Sequence, residues 1–247
     1  MKLFSQLKKA LFLGYLTGFV WLRRDPTSAV YLASTPFAIL FLIFMISKGD
    51  LLASAVTGSL VMLLMHHGLS LGSDAMIYRL EYKFQDIMVA SPISPAAYVV
   101  GLALSQLIFA GPATVFLSAL IIMSMQNAWQ VFVLVLSLLL VWMSGSSLGF
   151  FFSTYVPNVK NAAQVTALLS GLLTIVPPVF YPIEFLPPFF QQLSYLIPTT
   201  HASLLLFLSA GRQTPSTWAP TIGMLVLLGY TMFFVTLAVF KARWRQI

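Results

Sequence analysis

This chain of 247 residues contains no cysteine and little charge: Asp, Glu, Lys and Arg together make up 8% of it. The first absence excludes disulfides and thiolate metal centres. The second excludes an ordinary soluble domain, in which about 25% of residues are charged. The sequence has no GxxxxGK[ST] loop to cradle the phosphates of ATP and no HExxH pair to hold zinc. If ATP drives this protein, another chain must hydrolyse it. What fills the space instead is hydrophobic, 59% of all residues, with a mean hydropathy of +0.92. Such a composition belongs to an integral membrane protein. The net charge of +7 gives no reason to expect nucleic acid, because the basic residues flank apolar runs as membrane topology requires.

Residues 1–25 place Lys2, Lys8, Lys9, Arg23 and Arg24 around a short apolar run, Ala10 to Leu22. About 13 residues cannot cross a hydrocarbon core of roughly 30 Å, and no small-residue cleavage site follows. The expectation is an uncleaved helix in the cytoplasmic interface, with Trp21 at headgroup level. Six spans are expected after it, at about 28–47, 51–73, 97–125, 130–152, 162–177 and 218–240. Lys48-Gly49-Asp50 and Gln126-Asn127 are the turns after the first and third spans, and Gly111-Pro112 is a kink inside the third. Small residues from Ser144 to Gly149 suit close helix approach. Six spans put both termini on one side, leaving only Lys48 and Arg212 among the basic residues on the other. The positive-inside rule then places the termini in the cytosol. The chain reads as one transmembrane domain, 1–247, without internal repeats.

The most charged internal stretch is 74–95, with Asp74, Arg79, Glu81, Lys83 and Asp86. Charge is costly in lipid, so the whole stretch is expected outside the hydrocarbon. Ile77, Leu80, Phe84, Ile87 and Met88 recur at helical spacing and predict one amphipathic helix. Ser91-Pro92-Ile93-Ser94-Pro95 then ends it. A second unusual stretch, 178–212, is apolar yet rich in helix breakers. Five of the 14 prolines fall between Pro177 and Pro188, which predicts short re-entrant or interfacial helices in place of a straight span.

Candidate chemistry is sparse. His66 and His67 are adjacent in the second span and point about 100° apart, so they do not converge on a metal as an i, i+4 pair would. As ionisable residues inside the membrane they are pathway candidates. Glu184, the only acidic residue after Asp86, has no carboxylate partner for acid–base work. With Tyr181 and Phe185 it forms a candidate external gate.

These two stretches resemble the permease, or membrane subunit, of type 2 ATP-binding-cassette exporters, a family that includes drug, polysaccharide and lipid exporters. The resemblance rests on the charged helix after the second span and its exit Ala90-Ser91-Pro92-Ile93-Ser94-Pro95, followed by Tyr98 and Gly101. It rests also on Tyr181-Pro182-Ile183-Glu184-Phe185-Leu186-Pro187 and Ile197-Pro198-Thr199-Thr200-His201 after the fifth span, and on an N-terminal helix ending in Arg24-Asp25-Pro26. Two departures stand out: no glycine in the Arg79-to-Lys83 core, and Ile197 where the family tends to carry asparagine.

The resemblance implies an all-α permease of six spans with an N-terminal connecting helix (1–25), a cytosolic coupling helix (74–95) and external re-entrant helices (178–212). It would sit in the cell membrane and move a hydrophobic or amphipathic cargo outward. A cytosolic ATPase subunit would bind ATP and Mg, this chain holding no cofactor, and a second permease copy or a related chain would complete the pathway. Arg79, Glu81, Lys83, Phe84 and Asp86 would contact the ATPase, with Phe84 as apolar anchor. The competing class is a stand-alone membrane protein, either a secondary carrier or a membrane-embedded enzyme. An enzyme needs clustered Asp, Glu, His or Cys, and an ion-coupled carrier usually needs acidic residues within its spans.

Overall fold

The fold, seen in a computed structural model, describes residues 2–212, 214–215 and 218–240, with the side chains of 2, 3, 28, 29, 31 and 32 left aside. Gln213 in the loop after the re-entrant region and the basic tail Lys241, Arg243 and Arg245 lie outside the described residues. All regular structure among the described residues is helical. In chain order the helices are α1 (Lys2–Gly14), a π-helical stretch (Tyr15–Val20), α2 (Trp21–Arg24), α3 (Thr27–Ile46), α4 (Leu52–Leu80), α5 (Phe84–Ala90) and α6 (Pro95–Ile122). Then come α7 (Ala128–Ser153), α8 (Val159–Thr174), a 3-10 turn (Ile183–Phe185), α9 (Pro188–Ser194), α10 (Pro198–Ser209) and α11 (Pro220–Phe240).

Four of these, α4, α6, α7 and α11, are long and apolar enough to cross a bilayer. Helix α3 contributes a shorter apolar stretch, Ala33–Ile46. Helix α8, with 16 residues, is about 24 Å long. The helix starts are written in the sequence. Asn127 and Gln130 form a reciprocal capping box at α7, the Asn158 side chain accepts the Asn161 N–H at 2.8 Å ahead of α8, and Ser94 accepts the Ala97 N–H with Pro95 in the first turn of α6. Each arrangement satisfies backbone donors that a helix leaves open at its N-terminus. Pro36 and Pro112 lie within α3 and α6 without ending them.

Helix α4 is the axle of the bundle, touching α3, α6, α7, α8 and α10. Its approach to α7 depends on two matched glycine pairs, Gly68 and Gly72 on α4, Gly145 and Gly149 on α7. A Cβ at Gly72 would sit 2.5 Å from the Gly149 carbonyl oxygen, and one at Gly68 would sit 2.7 Å from the Ser146 nitrogen. Both pairs read Gly-x-x-x-Gly, the spacing that brings two membrane helices into backbone contact. The stretch from Ser144 to Gly149 on α7 was legible as a close-approach surface; its partner motif Gly68-x-x-x-Gly72 was equally visible in the sequence and carried the same signal.

At the N-terminus, α1, the π-helical stretch and α2 follow one another without a break, so this element is longer than its apolar run. One side packs on α6, where a Cβ at Gly101 would meet the Leu13 Cβ at 2.9 Å. The other side exposes Phe4, Leu7, Leu11, Phe12, Tyr15 and Phe19. An exposed apolar stripe beside Lys8 and Lys9 suits a helix lying in the plane of the interface.

The stretch 74–95 corrects the single amphipathic helix expected there. Residues 74–80 continue α4, the chain bends at Glu81, Tyr82 and Lys83, and only Phe84–Ala90 forms a separate helix. Lys83 supplies the bend with a left-handed backbone, φ 52°. That conformation is uncommon outside glycine, and hydrophobic periodicity running through the segment concealed it. Asp74 therefore lies on α4 itself and not on a separate helix.

Candidate functional site

The elbow from Glu81 to Ala90 is held by three neighbours. The Phe84 ring packs on Tyr78 at 5.6 Å between centroids, and Phe84 and Met88 join a buried cluster built on Leu13, Leu71, Tyr98, Leu102 and Phe150. The exit loop is latched to α1, where Gln6 Nε2 and Lys9 Nζ donate to the Pro92 carbonyl at 3.0 and 2.6 Å. Gln6 Oε1 accepts the Ser94 N–H at 2.8 Å. Arg79 turns inward, its guanidinium donating to the Ser153 carbonyl at 3.2 Å. There it also meets the negative end of the α7 dipole.

Of the five residues assigned to the ATPase contact, Glu81, Lys83 and Asp86 are thus exposed, while Arg79 and Phe84 face their own bundle. The large apolar side chains that this elbow does present are Tyr82, Ile87 and Val89. Phe84, the expected anchor, is half-buried with its ring packed on Tyr78. Ile87, one helical turn on, points outward.

Two polar seams run along α4. Towards α8, His66 Nδ1 meets Ser170 Oγ at 3.1 Å and the Ser73 and Thr166 hydroxyls meet at 3.2 Å. Towards α6, Gln106 Nε2 donates to Asp74 Oδ2 at 2.5 Å. His67 is 1% exposed. It faces the Gln106 side chain, yet neither ring nitrogen finds a hydrogen-bond partner among the described residues. The rings of His66 and His67 stand edge to face, 6.2 Å apart, and so serve different seams. Among the described residues no three of His, Asp and Glu converge as metal ligands would. Asp74 and Gln106 were absent from the sequence-derived candidates. The signal that was available for them was an acidic residue seven positions after His67, on the same helical face.

The proline-rich region is tied down from both sides. His201 is the hub: its Nδ1 accepts the Trp218 indole N–H at 3.1 Å, and its Nε2 donates to the Tyr195 carbonyl at 2.8 Å. This arrangement holds the ring neutral, and burial pushes its pKa below the ordinary 6.5. Tyr230 donates to the Leu196 carbonyl at 2.6 Å, and Thr199 donates to the Leu173 carbonyl. Tyr181 is partly buried against the core, and burial raises its phenol pKa. Glu184 and Phe185 are exposed on the 3-10 turn. Tyr181 precedes that turn, so the three gate candidates divide between core and surface.

A bundle in which four helices are long and apolar enough to cross a bilayer fits a multi-pass membrane protein. The family model described as "ABC-2 type transporter" matches residues 1–207, and the chain belongs to that family: it is the membrane subunit of an ABC transporter. A search among curated proteins finds no match. Membership accounts for the lack of a P-loop, because permeases of this family work with an ATPase subunit.

Proposed function

We propose that this chain moves a hydrophobic or amphipathic cargo out of the cytoplasm, driven by ATP and Mg bound in a separate cytosolic ATPase subunit. The six spans are α3, α4, α6, α7, α8 and α11, with both termini in the cytosol of a cell-membrane protein. A second copy, or a related chain, completes the pathway. The observation that carries this reading is the elbow. It is an exposed segment of mixed charge and apolar residues, rigidly joined to α4, the most buried of the long apolar helices. A push on Ile87 or Asp86 therefore reaches the axle of the bundle through the Phe84–Tyr78 contact. Apolar Ile87 acts as the docking anchor, with Glu81, Lys83 and Asp86 fixing register.

The spans α3 and α8 are supported by their place between turns and by the distribution of basic residues. The short α8 is compatible with a pathway-lining helix that meets the re-entrant segments in place of lipid at one end. Purification of the chain from its native membrane in mild detergent tests the reading. The expected result is a P-loop ATPase in stoichiometric amount, lost when Glu81 and Ile87 are replaced by lysine. A chain that repeatedly purifies alone would overturn it.

A further inference from the structure

Beside the elbow, between the N-terminal helix and the spans α4 and α6, lies a cavity of about 360 Å³. Its wall holds one charged group, Asp74, and four aromatic rings, Trp21, Tyr78, Tyr82 and Phe109. Beside the phenols of Tyr78 and Tyr82, two aliphatic hydroxyls line it, and both of these are already used: Thr17 donates to the Leu13 carbonyl at 2.8 Å, and Ser70 donates to the His66 carbonyl at 2.8 Å. The carboxylate of Asp74 has one hydrogen bond, from Gln106 to Oδ2. Among the described residues its other oxygen makes no hydrogen bond, and no lysine or arginine pairs with it. The nearest cation along the helix, Arg79, is committed to Ser153.

A half-buried carboxylate with a single donor still favours a cation or further donors on its open side. Aromatic faces attract the same kind of partner, and carboxylate plus rings is the chemistry that receives ammonium groups. The apolar remainder of the wall suits the hydrocarbon body such a cation carries. We infer that this cavity binds an organic cation, an amine or quaternary ammonium on a hydrophobic body, with Asp74 as counter-ion and Tyr78 and Tyr82 as ring walls. The headgroup amine of a phospholipid and a free amphipathic cation share this chemistry. The site is a matter of binding alone and stands or falls independently of which ATPase the chain uses.

Equilibrium dialysis of radiolabelled benzyltrimethylammonium against the full chain, held in nanodiscs of phosphatidylglycerol, tests it, because that lipid carries no amine. The expected result is saturable binding, weakened about tenfold by Asp74→Asn, as for loss of a charged partner. Tyr82→Leu, on an exposed ring, should weaken it about threefold. Asp50→Asn, in the turn before α4, should leave it unchanged, and neopentylbenzene, the uncharged analogue, should not compete. Replacing part of the lipid by phosphatidylethanolamine then separates the sources: competition assigns the site to a lipid headgroup, and its absence to a free cation. Binding that is absent, or equally strong in wild type and Asp74→Asn, would overturn the inference. Should Asp74→Asn fail to fold, Tyr82→Leu decides, and unchanged affinity there overturns it as well.

Discussion

The two sides of α4 are built on opposite terms. Towards α7, Gly68 and Gly72 meet Gly145 and Gly149 with backbone against backbone, and no side chain at these positions keeps the helices apart. Towards α6 and α8 the same helix carries His66, His67, Ser73 and Asp74, separated from its neighbours by polar side chains and a cavity. In lipid, where apolar association has no water to drive it, tight van der Waals packing is what fastens two helices. The α7 side is therefore the fixed face of α4. The α8 side, joined by hydroxyl contacts worth only fractions of a kcal/mol each, is the more weakly fastened face. The coupling role proposed for the elbow on α4 needs both: a rigid partner to lean on and a weaker face to move against.

The largest effect is expected from breaking the fixed face. Gly72→Leu forces a side chain into the Gly149 carbonyl and should cost about 3 kcal/mol or more, read as loss of monodisperse protein or a steep fall in thermal stability. Gly229→Ala, where nothing lies within 4 Å, should leave stability unchanged and serves as the control. On the polar face, His67→Leu removes an imidazole that faces Gln106 but makes no hydrogen bond of good geometry among the described residues. Its thermal stability should stay within about 1 kcal/mol of wild type or rise; a larger loss would mean that the imidazole is partnered in the membrane. The smallest effect belongs to the seam with α8. A double-mutant cycle of Ser73→Ala and Thr166→Ala should return a coupling of about 0.6 kcal/mol. A coupling well above that would erase the contrast between the two faces.

The sequence made much of this legible and hid the rest for identifiable reasons. Long apolar runs between capping residues such as Asn127 and Asn158 marked the helices, since those features are local. The breaking of 178–212 into short helices followed from its prolines, which act through backbone geometry whatever surrounds them. The bend at Lys83 was hidden, because a left-handed lysine has no sequence signature and hydrophobic spacing ran through it unbroken. That one bend altered the site. It left Phe84 against Tyr78, kept Arg79 on Ser153 and made Ile87 the outward apolar residue. Asp74 was assigned to the cytosolic stretch because cost in lipid argued for placing every charge outside, and its donor on α6, Gln106, is thirty-two positions away and cannot be seen by local reading.

Because the chain has no cysteine of its own, single cysteines report on this elbow without background. The most direct test of the account is to place one at Ile87 and, separately, one at Phe84, and to treat native membranes with a short bifunctional cross-linker. The account predicts that Ile87→Cys is captured with a P-loop ATPase and that Phe84→Cys is not. Capture through residue 84 alone, or at neither position while the unmodified chain still transports, would contradict it.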